Sequence, residues 1–228
     1  AVALRPGDRR LDLACGTGIV ARTAHGAGEG VEVAGVDLNR AMLTVARRIE
    51  PAIEWIEGDV GRLPVDDDSY DAATCQMAFM FFPDRSAALA EMARVVRPSG
   101  RLAVLVPAAI EAQAAYGPFV DVVVRRTGEA ARSMLSTYWN CGDIGAFAAL
   151  ATGAGWKHVA ATTPVGVAHF GSIEAFVDTE LDATPLGDRI EDDDRTAIVD
   201  ELRPVLSQWL TDDGLTIPFA CNLVAGAA

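Results

Sequence analysis

With 228 residues, half of them hydrophobic and 22% charged, the chain has ample apolar material for one α/β domain and too little polarity for extended disorder. The 19 Lys and Arg against 32 Asp and Glu leave a formal charge of −13, which repels phosphate backbones and anionic membrane surfaces and argues against nucleic-acid or membrane partners. Cys15, Cys75, Cys141 and Cys221 lie far apart with no CxxC pair, suggesting neither a zinc site nor a disulfide framework, and no apolar run approaches the roughly 20 residues of a membrane span. The expectation is a cytoplasmic protein without metal that acts on a small molecule.

The chain starts without Met and almost directly at a first strand, Leu11 to Ala14, so a segment before Ala1 is expected. A helix follows from about Thr17 to His25. Val31 to Val36 reads as a second strand, and Asn39 caps a helix whose Met42, Ala46 and Ile49 recur at i, i+4, i+7. Ile53 to Ile56 and Tyr70 to Cys75 give strands three and four, separated by a polar loop with Pro64 and the solvated run Asp66-Asp67-Asp68. Pro83 suits a first helical position, Asp84 complements the helix N-terminus, and Leu89, Met92 and Val96 form a core stripe that Arg97 and Pro98 close. Ser99-Gly100 turns the chain into strand Leu102 to Val106. Short strands alternating with helical patterns predict a parallel sheet covered by crossover helices.

From Pro107 to about Asn140 the periodicity weakens, which reads as a small substrate-side insertion after strand five. A helix from about Asp143 to Thr152, a strand near Trp156 to Thr162, helical stretches after Ser172 and Arg189, and a final strand from about Leu215 to Val224 complete one domain over residues 1–228. Glu191-Asp192-Asp193-Asp194 reads as a solvated helix start.

The most informative segment is Leu11-Asp12-Leu13-Ala14-Cys15-Gly16-Thr17-Gly18-Ile19-Val20-Ala21, a strand, a glycine turn and a helix. Gly16 and Gly18 permit positive φ and close backbone approach to a ligand. The pattern Gly-x-Gly-x-x-Ala also satisfies the dinucleotide fingerprint, and Asp37 ends the second strand where a carboxylate would hold ribose hydroxyls. Both cofactor classes stay open at this point. Asp12 favours S-adenosylmethionine, since a carboxylate four residues before Gly16 suits an ammonium group better than a pyrophosphate. Glu57-Gly58-Asp59-Val60 after the third strand adds an acceptor for an adenine amino group and an apolar side chain for its ring.

With LDLACGTG, VDLN and the GD dipeptide in this order, residues 4–106 resemble class I S-adenosylmethionine-dependent methyltransferases, particularly the branch of ubiquinone and menaquinone biosynthesis. The resemblance implies a Rossmann-like seven-stranded sheet of order 3-2-1-4-5-7-6, its last strand antiparallel, with helices on both faces. A helical region ahead of Ala1 would close over the site. It also implies cofactor-binding roles for Asp12, Ala14, Gly16, Gly18, Asp37, Leu38, Met42, Gly58, Asp59, Val60 and Gln76. Ala14 stands where the family often carries the loop's first glycine.

Met77, Met80 and Phe81, with Tyr138 and Trp139 of the insertion, are candidates to line an apolar acceptor pocket. Of the three histidines, His169 is better placed than His25 or His158 to border it, lying between the sixth strand and a helix. No catalytic residue stands out, because displacement at a sulfonium methyl needs alignment and water exclusion first and a base only for some nucleophiles. The methylated atom, O, N or C, and the oligomeric state are not legible. Two alternatives remain: a nicotinamide-dependent oxidoreductase, which has no use for Asp12 and Asp59, and a repurposed fold that holds the cofactor without methylating.

Overall fold

The apolar runs before each turn become the parallel strands. In the computed structural model, which describes residues 2, 5–27 and 30–228, β1 (Arg9–Leu13) lies between β2 (Glu32–Asp37) and β4 (Tyr70–Gln76). β3 (Glu54–Glu57) pairs outside β2 and β5 (Val96–Pro107) outside β4, all four pairings being parallel. Leu11, Leu13, Val36, Ala72, Ala73 and Val104 are completely buried, as strands covered on both faces require.

The crossovers are α1 (Ile19–His25), α2 (Arg40–Ile49) and α3 (Arg85–Val95). Asn39 caps α2 by accepting from the Ala41 and Met42 N–H groups. α3 corrects the sequence reading. Asp84 caps it by accepting from the Ala87 N–H at 2.9 Å, so Pro83 lies outside the helix and not at its first position. The helix ends at Val95, and Val96, Arg97 and Pro98 belong to β5. The Ser99-Gly100 turn interrupts pairing inside that strand: Tyr70 faces Val96 but Ala72 faces Arg101, and Ser99 takes φ 66°.

Chain contacts divide the protein into two compact units. The first comprises residues 1–106, 144–162 and 222–228, adding α6 (Ile144–Gly153), β6 (Lys157–Thr162) and the end of β9 (Gly214–Ala227). The second comprises residues 107–143 and 163–221. Its stretch 107–140, weakly periodic in sequence, forms α4 (Tyr116–Thr127) and α5 (Glu129–Ser136), which with α7 (Ile173–Asp182) and α8 (Asp192–Leu206) bury Phe119, Val123, Phe176, Leu181, Ile198 and Leu202. Ser172 caps α7 and the acidic run occupies the first turn of α8.

Among the described residues the sheet has nine strands and not seven. Its main path runs 3-2-1-4-5-9-6, with the chain's last strand between the fifth and sixth and antiparallel to β6. The two unexpected strands, β7 (Val165–Phe170) and β8 (Leu210–Thr211), pair antiparallel with the first half of β9. Pro164, Gly166 and Gly171 make 164–171 look like a connection, yet the fourteen-residue β9 offers it a partner. Among the described residues no helix is long and apolar enough to cross a membrane.

Candidate functional site

Open parallel sheets bind ligands in the crevice beyond the carboxyl ends of their strands. The segments that follow β1 to β4 are those the sequence singled out. After β1 the chain turns through Ala14, Gly16 and Gly18 at φ 48°, 56° and 85°, a succession of left-handed residues. Ala14 holds this conformation at a cost of roughly 1–2 kcal/mol, which accounts for the glycine often found there. Gly18 has a packing reason of its own: a Cβ there would lie 2.2 Å from the Trp55 ring, which also presses on Gly35.

Asp37 ties the crevice together. Its Oδ2 accepts from the Gly16 N–H at 2.8 Å, its Oδ1 from the Asn39 N–H at 2.7 Å, and its carbonyl from the Gly58 N–H at 3.1 Å. The glycine loop, the start of α2 and the loop after β3 are thereby fastened to one residue. Around it, apolar side chains are left open: Ile19, Leu38 and Met42 are 62%, 71% and 43% exposed, and the Met42 sulfur sits 3.7 Å from where a side chain on Gly16 would begin. Asp59 is exposed and accepts from the Gly61 N–H at 2.8 Å, a local turn that leaves further lone pairs; Val60 beside it is half-buried. A Cβ on Gly58 would collide with the Pro64 ring at 2.6 Å.

Asp12 is placed differently from an exposed ammonium binder. It is 2% exposed and lies under the loop, where Oδ1 accepts from the Thr74 hydroxyl at 3.0 Å and the carboxylate takes the Ala21 N–H in the first turn of α1. The Thr74 oxygen in turn accepts from Arg10 at 2.7 Å. Burial pushes the Asp12 carboxyl up to about 6, against the opposing pull of Arg10 and Thr74. Sequence reading missed Arg10 and Thr74. The available signal was positional, since Arg10 and Asp12 share a strand face and Thr74 pairs opposite Asp12.

This raised value has a sign. Folded Asp12 holds its proton more tightly than at its ordinary value of 3.8, so its favourable contribution is full below that pH and is lost as pH rises through about 6. Asp12→Asn keeps hydrogen-bonding capacity and cannot ionise. Between pH 4 and pH 7, urea unfolding is expected to shift in favour of the variant over wild type by about 2 kcal/mol. Parallel pH curves for the two proteins would refute the assignment.

Gln76 is exposed at the end of β4, and Met77 follows at φ 55° with its N–H on the Leu105 carbonyl at 2.9 Å. Phe81 is 50% exposed, whereas Met80 is buried and its carbonyl accepts from Arg85. Tyr138, Trp139 and His169 belong to the second unit. There Trp139 stands edge-on to Tyr116 at 5.3 Å, the Tyr138 hydroxyl approaches the Ala183 carbonyl at 3.4 Å, and exposed His169 lies in strand β7, not between a strand and a helix, with Nδ1 2.9 Å from the Thr216 hydroxyl. His25 ends α1 and His158 is exposed on β6. The thiols of Cys15 and Cys75 are pushed up strongly by burial, as inert core groups are.

Residues 11–104, the span of this geometry, match the family model described as a methyltransferase domain. A demethylmenaquinone methyltransferase of Beutenbergia cavernae is 34% identical over 171 residues, covering 70% of this chain and 70% of that protein. The chain belongs to the class I S-adenosylmethionine-dependent methyltransferases. A demethylmenaquinone methyltransferase of Renibacterium salmoninarum is 39% identical over 54% of the chain, and a 2-phytyl-1,4-naphtoquinone methyltransferase of Synechococcus elongatus 40% identical over 45%; the matches span about half the length of these two relatives. The methyltransferase shares its fold with the YcgJ protein of Bacillus subtilis, at TM-score 0.63, 21% identity and coverage of 99% and 94% of the two chains. A phosphoethanolamine N-methyltransferase of Haemonchus contortus, solved with S-adenosylmethionine, superposes with TM-score 0.59 at 18% identity, over 99% of this chain and 49% of that one. The cofactor of this methyltransferase is S-adenosylmethionine, and neither the oxidoreductase nor the repurposed-fold alternative is favoured.

Proposed function

We propose that this methyltransferase methylates a quinone-type aromatic acceptor, a naphthoquinol ring in its reduced state. The observation that carries the reading is the 34% identity with a demethylmenaquinone methyltransferase across 70% of both chains. Reduction follows from the chemistry, because a quinone is too electron-poor to attack an electrophile while its quinol is electron-rich. The cofactor supplies a sulfonium methyl group. Transfer forms a bond from the acceptor atom to that carbon, breaks its bond to sulfur with the electron pair left on sulfur, and releases a proton from the acceptor.

In this reading Asp37 accepts from the ribose hydroxyls, and Leu38 and Val60 flank the adenine, whose amino group donates to Asp59. Exposed Leu38, half-buried Val60 and exposed Asp59 at the crevice support these roles, as does the position of Asp37, fixed by the Gly16 and Asn39 N–H groups. Ala14, Gly16, Gly18 and Gly58 let the backbone approach the cofactor, with Met42 over Gly16. Buried Asp12 acts on the methionyl ammonium through the loop it underpins, and Gln76 lies towards the same end. Met77, Met80 and Phe81, which follow β4, form the acceptor side of this crevice. These groups orient the acceptor and exclude water, the main tasks of an in-line displacement.

Incubation with S-adenosylmethionine and a reduced, short-chain demethylmenaquinol, followed by mass spectrometry, is expected to give a product one methyl group heavier. No product from a preparation that binds S-adenosylhomocysteine would overturn the acceptor assignment.

A further inference from the structure

The second unit holds a cavity of about 250 Å³ where the end of α4 and the helix α5 meet residues 186–194, which lead into α8. Every residue that lines it belongs to this one unit, and none belongs to the cofactor crevice. One wall is apolar. Ala131, Leu186 and Ile190 are buried there, and Met134 packs on the same helical core.

The rest of the lining carries charge, and two of its groups are guanidinium ions, Arg126 and Arg189. Five of the six arginines in the unit stand in ion pairs: Arg125 and Arg126 on Glu201, Arg132 on Glu129, Arg195 on Asp178 and Asp182, and Arg203 on Glu174. Arg189 is the exception. Its side chain has no hydrogen bond or ion pair among the described residues, in a chain where 32 Asp and Glu face 19 Lys and Arg. Arg126 has a donor to spare as well. Its Nε donates to Glu201 at 2.8 Å and its Nη2 to the same oxygen, while Nη1 stands 3.8 Å from the Asp194 carboxylate, too far for a hydrogen bond.

Two guanidinium groups with unused donors beside a buried apolar wall fit a ligand that has both an anionic end and a hydrophobic body. A multiply charged anion fits less well, because Asp194 shares the lining and the apolar wall would go unused. We infer that this cavity binds a small organic monocarboxylate, with its carboxylate on Arg189 and on Nη1 of Arg126 and its aliphatic or aromatic body on Met134, Leu186 and Ile190. The site uses none of the crevice residues, so it stands whichever acceptor is methylated.

The test uses the full chain saturated with S-adenosylhomocysteine, titrated by calorimetry with 4-tert-butylbenzoate. Wild type is expected to bind it with a Kd below about 1 mM. Arg189→Gln, a change at an exposed position, should weaken binding by at least about tenfold. Ala130 lines the cavity and is exposed, so Ala130→Trp can fill the space without repacking the core and should weaken binding to a similar extent. The neutral 4-tert-butylbenzamide, of the same shape, is expected to bind wild type and Arg189→Gln alike and more weakly than the acid binds wild type. Sulfate, an anion without an apolar body, should bind more weakly than the acid.

Failure of wild type to bind the acid below that concentration overturns the proposal. So does equal affinity of wild type and Arg189→Gln, which removes the anchor, or full affinity in Ala130→Trp, which places the ligand outside the cavity. Binding of the amide as tight as that of the acid would remove the anionic end from the ligand, and Arg189-dependent binding of sulfate as tight as that of the acid would remove its apolar body.

Discussion

Asp37→Ala is expected to lower the affinity for S-adenosylhomocysteine, read by calorimetry, by about 100-fold or more. The carboxylate already accepts the Gly16 and Asn39 N–H groups at 2.8 and 2.7 Å, and the proposed ribose contact would use its remaining lone pairs. Hydrogen bonds to a charged group contribute about 1.5–3 kcal/mol each, and two of them correspond to roughly two orders of magnitude in affinity. Asp37→Asn has one acceptor oxygen in place of two and should fall between alanine and wild type. A change below about threefold in Asp37→Ala would remove the ribose role.

Gly18→Ala should damage the fold more than any other single methyl added to the glycine loop. A Cβ there meets the Trp55 ring at 2.2 Å, and the backbone at φ 85° is one that L side chains rarely adopt. Overpacking and left-handed strain together amount to about 3 kcal/mol, a fall in Tm of roughly 6–12 °C for a chain of this size. Combining it with Trp55→Leu should recover part of the loss, because the ring is the obstacle. Wild-type stability of Gly18→Ala, measured by urea unfolding, would contradict the packing account. By contrast, a Cβ on Gly16 meets only the flexible Met42 sulfur at 3.7 Å, so Gly16→Ala carries backbone strain without the collision.

The crevice was legible because its chemistry is local. A strand, a glycine turn and a helix lie within Leu11 to Ala21, and an acidic residue closes each of the next two strands, so spacing alone brings Gly16, Asp37 and Gly58 together. The support beneath it was not legible in the same way. Thr74 reaches Asp12 across 62 positions of sequence, and only the strand register shows the pairing. Boundaries were lost where one residue type serves two purposes: Pro83 suits a first helical turn as well as the residue before a cap, and Asp84's side-chain hydrogen bond decided between them. Strand β7 was hidden by its own punctuation and by exposed Val165 and Val167, whose alternation points away from any core.

The long last strand constrains the order in which the protein can be completed. Residues 222–227 of β9 stand between β5 and β6, and residues 214–220 pair with β7 and β8. A ribosome makes this strand after every segment it pairs with, so neither unit has its full sheet while synthesis is short of β9. Until then β5 and β6 both present open edges, the kind of surface that recruits foreign strands. The pairings with β6, β7 and β8 therefore close together, in both units, only once β9 has emerged.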